Sequence, residues 1–140
     1  MTAGSLALAL AAALSGAALY VNVVEQPARL ALDDSAMLQE WGPSDRRGVA
    51  VLTMLSLAAA ICGLSQWYEG GDLRWAIGAL IAILSWPYSF YVMAPIDNQI
   101  IALAPSDIGA ARELVRQWGM LELGQTALAV VATGVFLWAL

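Results

Sequence analysis

Four apolar stretches, at about 3–24, 47–67, 73–93 and 119–140, occupy most of the 140 residues. A helix rises ~1.5 Å per residue, so about 20 apolar residues cross the ~30 Å of hydrocarbon in a bilayer. Such a chain is expected to be an all-α integral membrane four-helix bundle, one transmembrane domain with no repeat or linker. The lipid bilayer is then its first partner.

The remaining residues leave little else. Only 12% of the chain is charged, against roughly 25% in a soluble domain. Eleven acids oppose six Arg and there is no Lys, so the basic patch that nucleic acid requires is missing. The single Cys, Cys62, precludes an intrachain disulfide, and there is no His. Carboxylates alone are left to hold a metal, and neither a metal nor another cofactor is expected. The first apolar stretch also offers small-residue cleavage sites around Ser15 to Ala18, but it is long and follows no Lys or Arg, so it reads as an uncleaved span.

Small residues four apart recur in the spans, as in Ala12 and Gly16, Ala59 and Gly63, and Gly78 and Ala82, with Gly124 in the last. This spacing lets membrane helices approach closely. Loop one, 25–47, carries Pro27, a short amphipathic helix through Leu38 and a break at Trp41-Gly42-Pro43. Loop two, 68–72, is a tight reversal over Gly70 and Gly71. In loop three, Ser106-Asp107 is expected to cap a second short amphipathic helix through Ala110, Leu114 and Gln117. Five Arg lie in loops one and three and only Arg74 beside loop two, which by the positive-inside rule puts loops one and three in the cytoplasm.

Alternation of four spans gathers the unusual polar residues at the loop-one and loop-three end. Asn22, Glu25 or Gln26, and Arg29 make one helical stripe; Pro87, Tyr88, Tyr91, Pro95 and Asn98 make another; Trp118, Glu122 and Gln125 make a third. Glu122 sits about one turn inside an apolar helix, where a charge costs ~2.5–3.5 kcal/mol. It either faces protein, with Arg29 or another Arg as partner, carries a proton, or lies shallow enough to reach headgroup water. The first stripe is equally consistent with an ordinary polar helix end in which Glu25 and Arg29 pair at i,i+4. Trp67, Tyr68, Trp75 and Trp138 fit an aromatic belt, whereas Trp86, Tyr88 and Tyr91, beside Pro87, fit either core packing or the walls of a site for a flat ligand.

The segments Tyr20 to Arg29, Trp41-Gly42-Pro43, Trp86-Pro87-Tyr88 with Met93 to Asn98, and Arg116 to Leu121, in this order over almost the whole chain, resemble the anthrone oxygenase-like family of small membrane proteins. The resemblance implies four membrane helices. Many members have no assigned function; some fungal ones oxidise anthrones to anthraquinones in polyketide biosynthesis. After the Trp of span four the family pattern often has His and, three residues on, Arg, where this chain has Glu122 and Gln125.

Two functions follow. In the first, a hydrophobic aromatic ligand is oxygenated without a cofactor: Glu122 or Glu25 is the base, Arg29 with Asn22 or Asn98 meets the oxyanion, and Tyr88, Tyr91 and Trp118 form the walls beside Gln125. In the second, the chain is a non-catalytic subunit of a larger membrane complex, and the same stripe is internal glue or a partner contact; a monomer or homo-oligomer fits the enzyme instead. A channel or transporter is disfavoured by the lack of an inverted repeat or a ring of charges.

Overall fold

The computed structural model describes residues 1–140 and is helical almost throughout, with no strand. Four long helices, α1 (Ala3–Leu30), α2 (Asp34–Gly70), α3 (Leu73–Ile101) and α4 (Pro105–Ala139), are each long and apolar enough to cross a membrane. They pack in cyclic order, each on the next and α4 back on α1. Short links make neighbours antiparallel.

The helix ends follow local chemistry. Thr2 forms a capping box with Ser5, and the Asp33 and Asp72 side chains accept from the backbone N–H of Ala36 and Arg74. Gly71 ends α2 at φ 73°, a left-handed conformation that only glycine takes without cost. Asp72 also pairs with the Arg74 guanidinium at 2.6 Å, and these hydrogen bonds hold its carboxyl below the usual range.

Two helix boundaries differ from the sequence expectation. No break occurs at Trp41-Gly42-Pro43: α2 runs through all three residues. Pro43 forfeits one intrahelical bond, but Met37 and Trp41, both buried, anchor the turns before it against α3 and α4. Likewise Ser106-Asp107 does not cap a helix. It lies in a 3₁₀ turn, Pro105–Ala110, that leads straight into the last span, whose N-cap Ala110 has no side-chain bond. The amphipathic helices of loops one and three thus exist as extensions of the spans.

The interior is divided in two. At the loop-two end, Ala7, Ala11, Ala59, Ala60, Ala79, Ala82 and Ala132 surround Trp75 and Phe136, whose rings stack at 5.7 Å. Gly63 and Gly78 make room for Phe136: a Cβ on Gly78 would lie 2.5 Å from its Cε1. Trp75 is therefore a core residue and not part of the aromatic belt, whereas Trp67, Tyr68 and Trp138 are exposed as that belt requires. Ala59, Gly63, Gly78 and Ala82 pack inward; Ala12 and Gly16 face outward. At the other end, Met37, Trp41, Met93, Ile96, Ile100, Ala111, Val115 and Trp118 form a second cluster.

α1 and α3 share an irregularity. Each contains a π-helical turn, Val21–Glu25 and Ser89–Met93, closed by bonds from Gln26 N–H to the Val21 carbonyl and from Ala94 N–H to the Ser89 carbonyl. Pro27 and Pro95 follow one residue later. A proline ring collides with the carbonyl four residues back, here Val23 and Tyr91, the central residue of each widened turn. α3 is interrupted again at Leu84, three residues ahead of Pro87.

Candidate functional site

Between the two clusters lies a cavity of about 660 Å³, which touches Ala82 of the first and Met93 and Trp118 of the second. Both π turns border it, through Val21 and Glu25 on α1 and Ser89, Phe90, Tyr91 and Met93 on α3. α4 contributes Trp118, Glu122, Gln125 and Ala129, one face at helical spacing. α2 contributes Ser44, Asp45, Gly48, Val49, Leu52 and Thr53, likewise one face.

Of the nine residues singled out from the sequence, five line this space: Glu25, Tyr91, Trp118, Glu122 and Gln125. Glu122 is buried and so faces protein and the cavity. Arg29, Asn22, Tyr88 and Asn98 do not line it. Tyr88 turns toward α4, donating from its hydroxyl to the Leu121 carbonyl at 2.6 Å over Gly124, whose missing Cβ provides the room. Asn22 donates to the Ala18 carbonyl and to the Thr126 hydroxyl, tying α1 to α4. Asn98 is exposed. The expected single face of α3 is broken because its π turn shifts the helical register between Tyr88 and Asn98.

Arg29 is 2% exposed and each of its three nitrogens is engaged. Its Nε pairs with Glu40; one terminal nitrogen donates to Gln26 at 3.0 Å, and the other reaches Glu25 at 3.0 Å, Glu40 at 3.3 Å and Ser44 at 3.1 Å. Ser44 in turn donates to Glu25. The guanidinium also stacks over Trp118, 5.1 Å from the ring centroid. Gln26 donates at 2.8 Å to the Val115 carbonyl, fitting against Gly119. This knot ties α1, α2 and α4 together and fixes the plane of the Trp118 indole at the cavity wall.

Two lining acids, Asp45 and Asp97, were missed from the sequence. With Glu25 they are the acids whose charge reaches Glu122, and Arg29 is the one cation whose charge does. The Trp118 indole N–H is directed toward Asp45 and Asp97, yet it closes no hydrogen bond; Asp97 Oδ1 and the Trp41 indole N–H are also buried without partners. Gln125 is held by its donation to Ser89 and, at 3.3 Å, to the Ser85 carbonyl. No group of three or more metal-ligating side chains converges anywhere in the chain.

Chemically, the site joins an apolar, aromatic-rimmed space to a carboxylate and an unspent N–H donor four residues apart on one helix. Residues 41–135 match the family described as anthrone oxygenase. No curated protein and no solved structure matches the chain.

Proposed function

The chain belongs to the anthrone oxygenase family, and from that premise we propose that its cavity takes a hydrophobic polycyclic aromatic and oxygenates it without a cofactor. One observation carries the reading: a buried carboxylate, Glu122, stands in the wall of an apolar cavity whose volume is in the range of ligand pockets. An anthrone has a CH₂ flanked by two aromatic rings and conjugated through them to a ketone. Glu122 removes one proton from that carbon, and the electron pair delocalises onto the ketone oxygen. In this scheme Trp118 Nε1–H, which closes no hydrogen bond, turns from Asp45 and Asp97 to meet the resulting oxyanion, with Arg29 as its positioning residue. The carbanion adds dioxygen, and the peroxide takes a proton and then loses water to leave a second carbonyl. The balance is anthrone plus O₂ to anthraquinone plus water.

Tyr91 and Trp118 serve as walls and Gln125 as a polar contact in this scheme. Glu25 is less suited to the base role because Arg29 and Ser44 already occupy its carboxylate. We infer a cytoplasmic side for loops one and three from the arginine bias: Arg46, Arg47 and Arg116 are exposed at that end, whereas Arg74 at the opposite end is engaged by Asp72.

The test is anthrone oxidation by the purified protein in lipid vesicles, followed by anthraquinone absorbance. Oxidation above the vesicle-only rate, with oxygen consumed one for one, supports the enzyme. A rate equal to the blank, no aromatic binding, and co-purification with a stoichiometric larger partner support the accessory-subunit reading instead.

A further inference from the structure

We propose that the cavity opens sideways into the bilayer, through a window between α2 and α3, and that its aromatic ligand enters from the lipid. The inference rests on the reading of the cavity as an aromatic site and adds the route by which that site is filled.

Burial around the cavity is one-sided. On the α1 and α4 walls, Leu14, Ala18, Trp118, Glu122 and Ala129 are all buried. On the other two helices Ala82 and Met93 are buried, but several lining residues reach the outer surface, among them these four: Val49 is 45% exposed, Trp86 46%, Phe90 72% and Tyr91 75%. These four are apolar or aromatic, as suits a rim bathed in hydrocarbon.

Polar ties show the same asymmetry. α1 is fastened to α4 by Asn22 and Gln26, α3 to α4 by Tyr88 and Gln125, and α1 to α2 by Arg29 and Ser44. α2 and α3 share hydrogen bonds at one level only, where Ser56 donates to the Ala82 carbonyl and meets Ser85 at 2.9 Å. That tie is the sill of the window. Its upper edge is the cluster of Met37 and Trp41 with Ile96 and Ile100. Between Trp41 and Ser56, roughly 20 Å of helix, no hydrogen bond joins α2 to α3.

Gly48 lies midway along that stretch. A mid-helix glycine costs about 1 kcal/mol relative to Ala, and the cost is usually offset by close packing. Gly63 and Gly78 have such packing against Phe136, but a Cβ on Gly48 would meet nothing within 4 Å. The helix is thinnest where the window requires width. The π turn at Ser89–Met93 carries Phe90 and Tyr91, edge to face at 5.2 Å, on the opposite jamb.

The experiment uses the full chain in vesicles, with Cys62→Ala as background and Thr53→Cys placing one thiol in the cavity lining. A membrane-soluble maleimide is expected to label this thiol faster than a charged, water-confined thiol reagent, and Val49→Trp is expected to slow that labelling by roughly tenfold or more. Faster labelling by the charged reagent, or labelling indifferent to Val49→Trp, overturns the window whether or not any aromatic binds. A second measurement follows entry and exit of an anthrone by fluorescence. Val49→Trp, which adds bulk at the rim, is expected to slow entry and exit together by several-fold or more. Weakened affinity at an unchanged entry rate makes Val49 pocket wall alone and overturns the window. Absence of anthrone binding to the unmodified protein overturns the aromatic-site reading, while the labelling result still decides the window.

Discussion

Replacing Arg29 with Met tests whether the buried ionic knot holds the site end together. The substitution keeps the unbranched stem but leaves Glu25 and Glu40 facing one another, strips Gln26 and Ser44 of a donor, and removes the cation from the Trp118 face. Breaking a buried pair from one side costs about 3–5 kcal/mol, because the partner charge stays behind. Here the Arg29 side chain is 1% exposed, but Glu25 and Glu40 are 25% and 36% exposed, so water recovers part of that loss. Adding about 1 kcal/mol for the lost cation–π contact, the expected destabilisation is about 3 kcal/mol. Unfolding in mixed micelles, followed by tryptophan fluorescence, measures it. Adding Glu25→Gln and Glu40→Gln is expected to return stability to within about 1 kcal/mol of the parent, since the stranded charges are then gone. A loss below about 1 kcal/mol for Arg29→Met, or no recovery in the triple variant, refutes the account of the knot.

Glu122→Gln preserves shape and removes the proposed base; anthrone oxidation is expected to fall by roughly 10²–10⁴ with anthrone binding retained, and a variant turning over at the parental rate excludes Glu122 from the chemistry. Gly124→Ala brings a methyl onto the Tyr88 ring, so the Tyr88–Leu121 hydrogen bond must break. The expected cost is about 2–3 kcal/mol in mixed-micelle unfolding, relieved by Tyr88→Leu in the same chain. Asp72, whose carboxyl is held below its unfolded range by Arg74, adds stability above about pH 4, the unfolded value. That stability is lost as pH falls through the lower folded value. The melting temperature of the parent is therefore expected to exceed that of Asp72→Asn by a constant margin above about pH 5, with the gap closing in acid.

The span count was legible because lipid leaves so few alternatives: long apolar runs with tight links admit little besides a helical bundle. Boundaries were less so. Trp41-Gly42-Pro43 has the composition of a break, and only the burial of Trp41 against Trp118, 6.3 Å away edge to face, explains why the helix continues. That misreading hid Asp45, which was assigned to a loop although it faces the cavity one turn beyond Trp41. Asp97 was passed over beside Asn98, yet an acid one turn before Ile100 and three residues after Ala94, at the end of a run of apolar residues, was a usable signal. Helical periodicity placed Glu122, Gln125 and Trp118 on one face because α4 is regular there. It misplaced Tyr88 and Asn98 because a π turn adds one residue to the count, and a single sequence shows only the proline that follows.

The paired π turns bear on how the site is built. A regular four-helix bundle with alanine-sized seams closes on itself, as it does around Phe136, and leaves no room for a ligand. A proline one residue beyond the turn forces widening at a chosen level, and α1 and α3 run in the same direction, so Pro27 and Pro95 act at the same end of the molecule. The widened turns supply Glu25 to one wall and Phe90 and Tyr91 to another, while α4, left regular, presents Trp118 and Glu122 between them. Substituting Pro95 with Ala restores an N–H and removes the ring collision that favours the wider turn. The Ser89–Met93 segment is then expected to relax to α-helix and rotate Tyr91 off the cavity rim. Unfolding should become more costly by about 1 kcal/mol or more while anthrone binding weakens, a trade that marks a strained functional turn. Equal binding by Pro95→Ala and the parent would mean that the proline merely tolerates the π turn and does not shape the cavity.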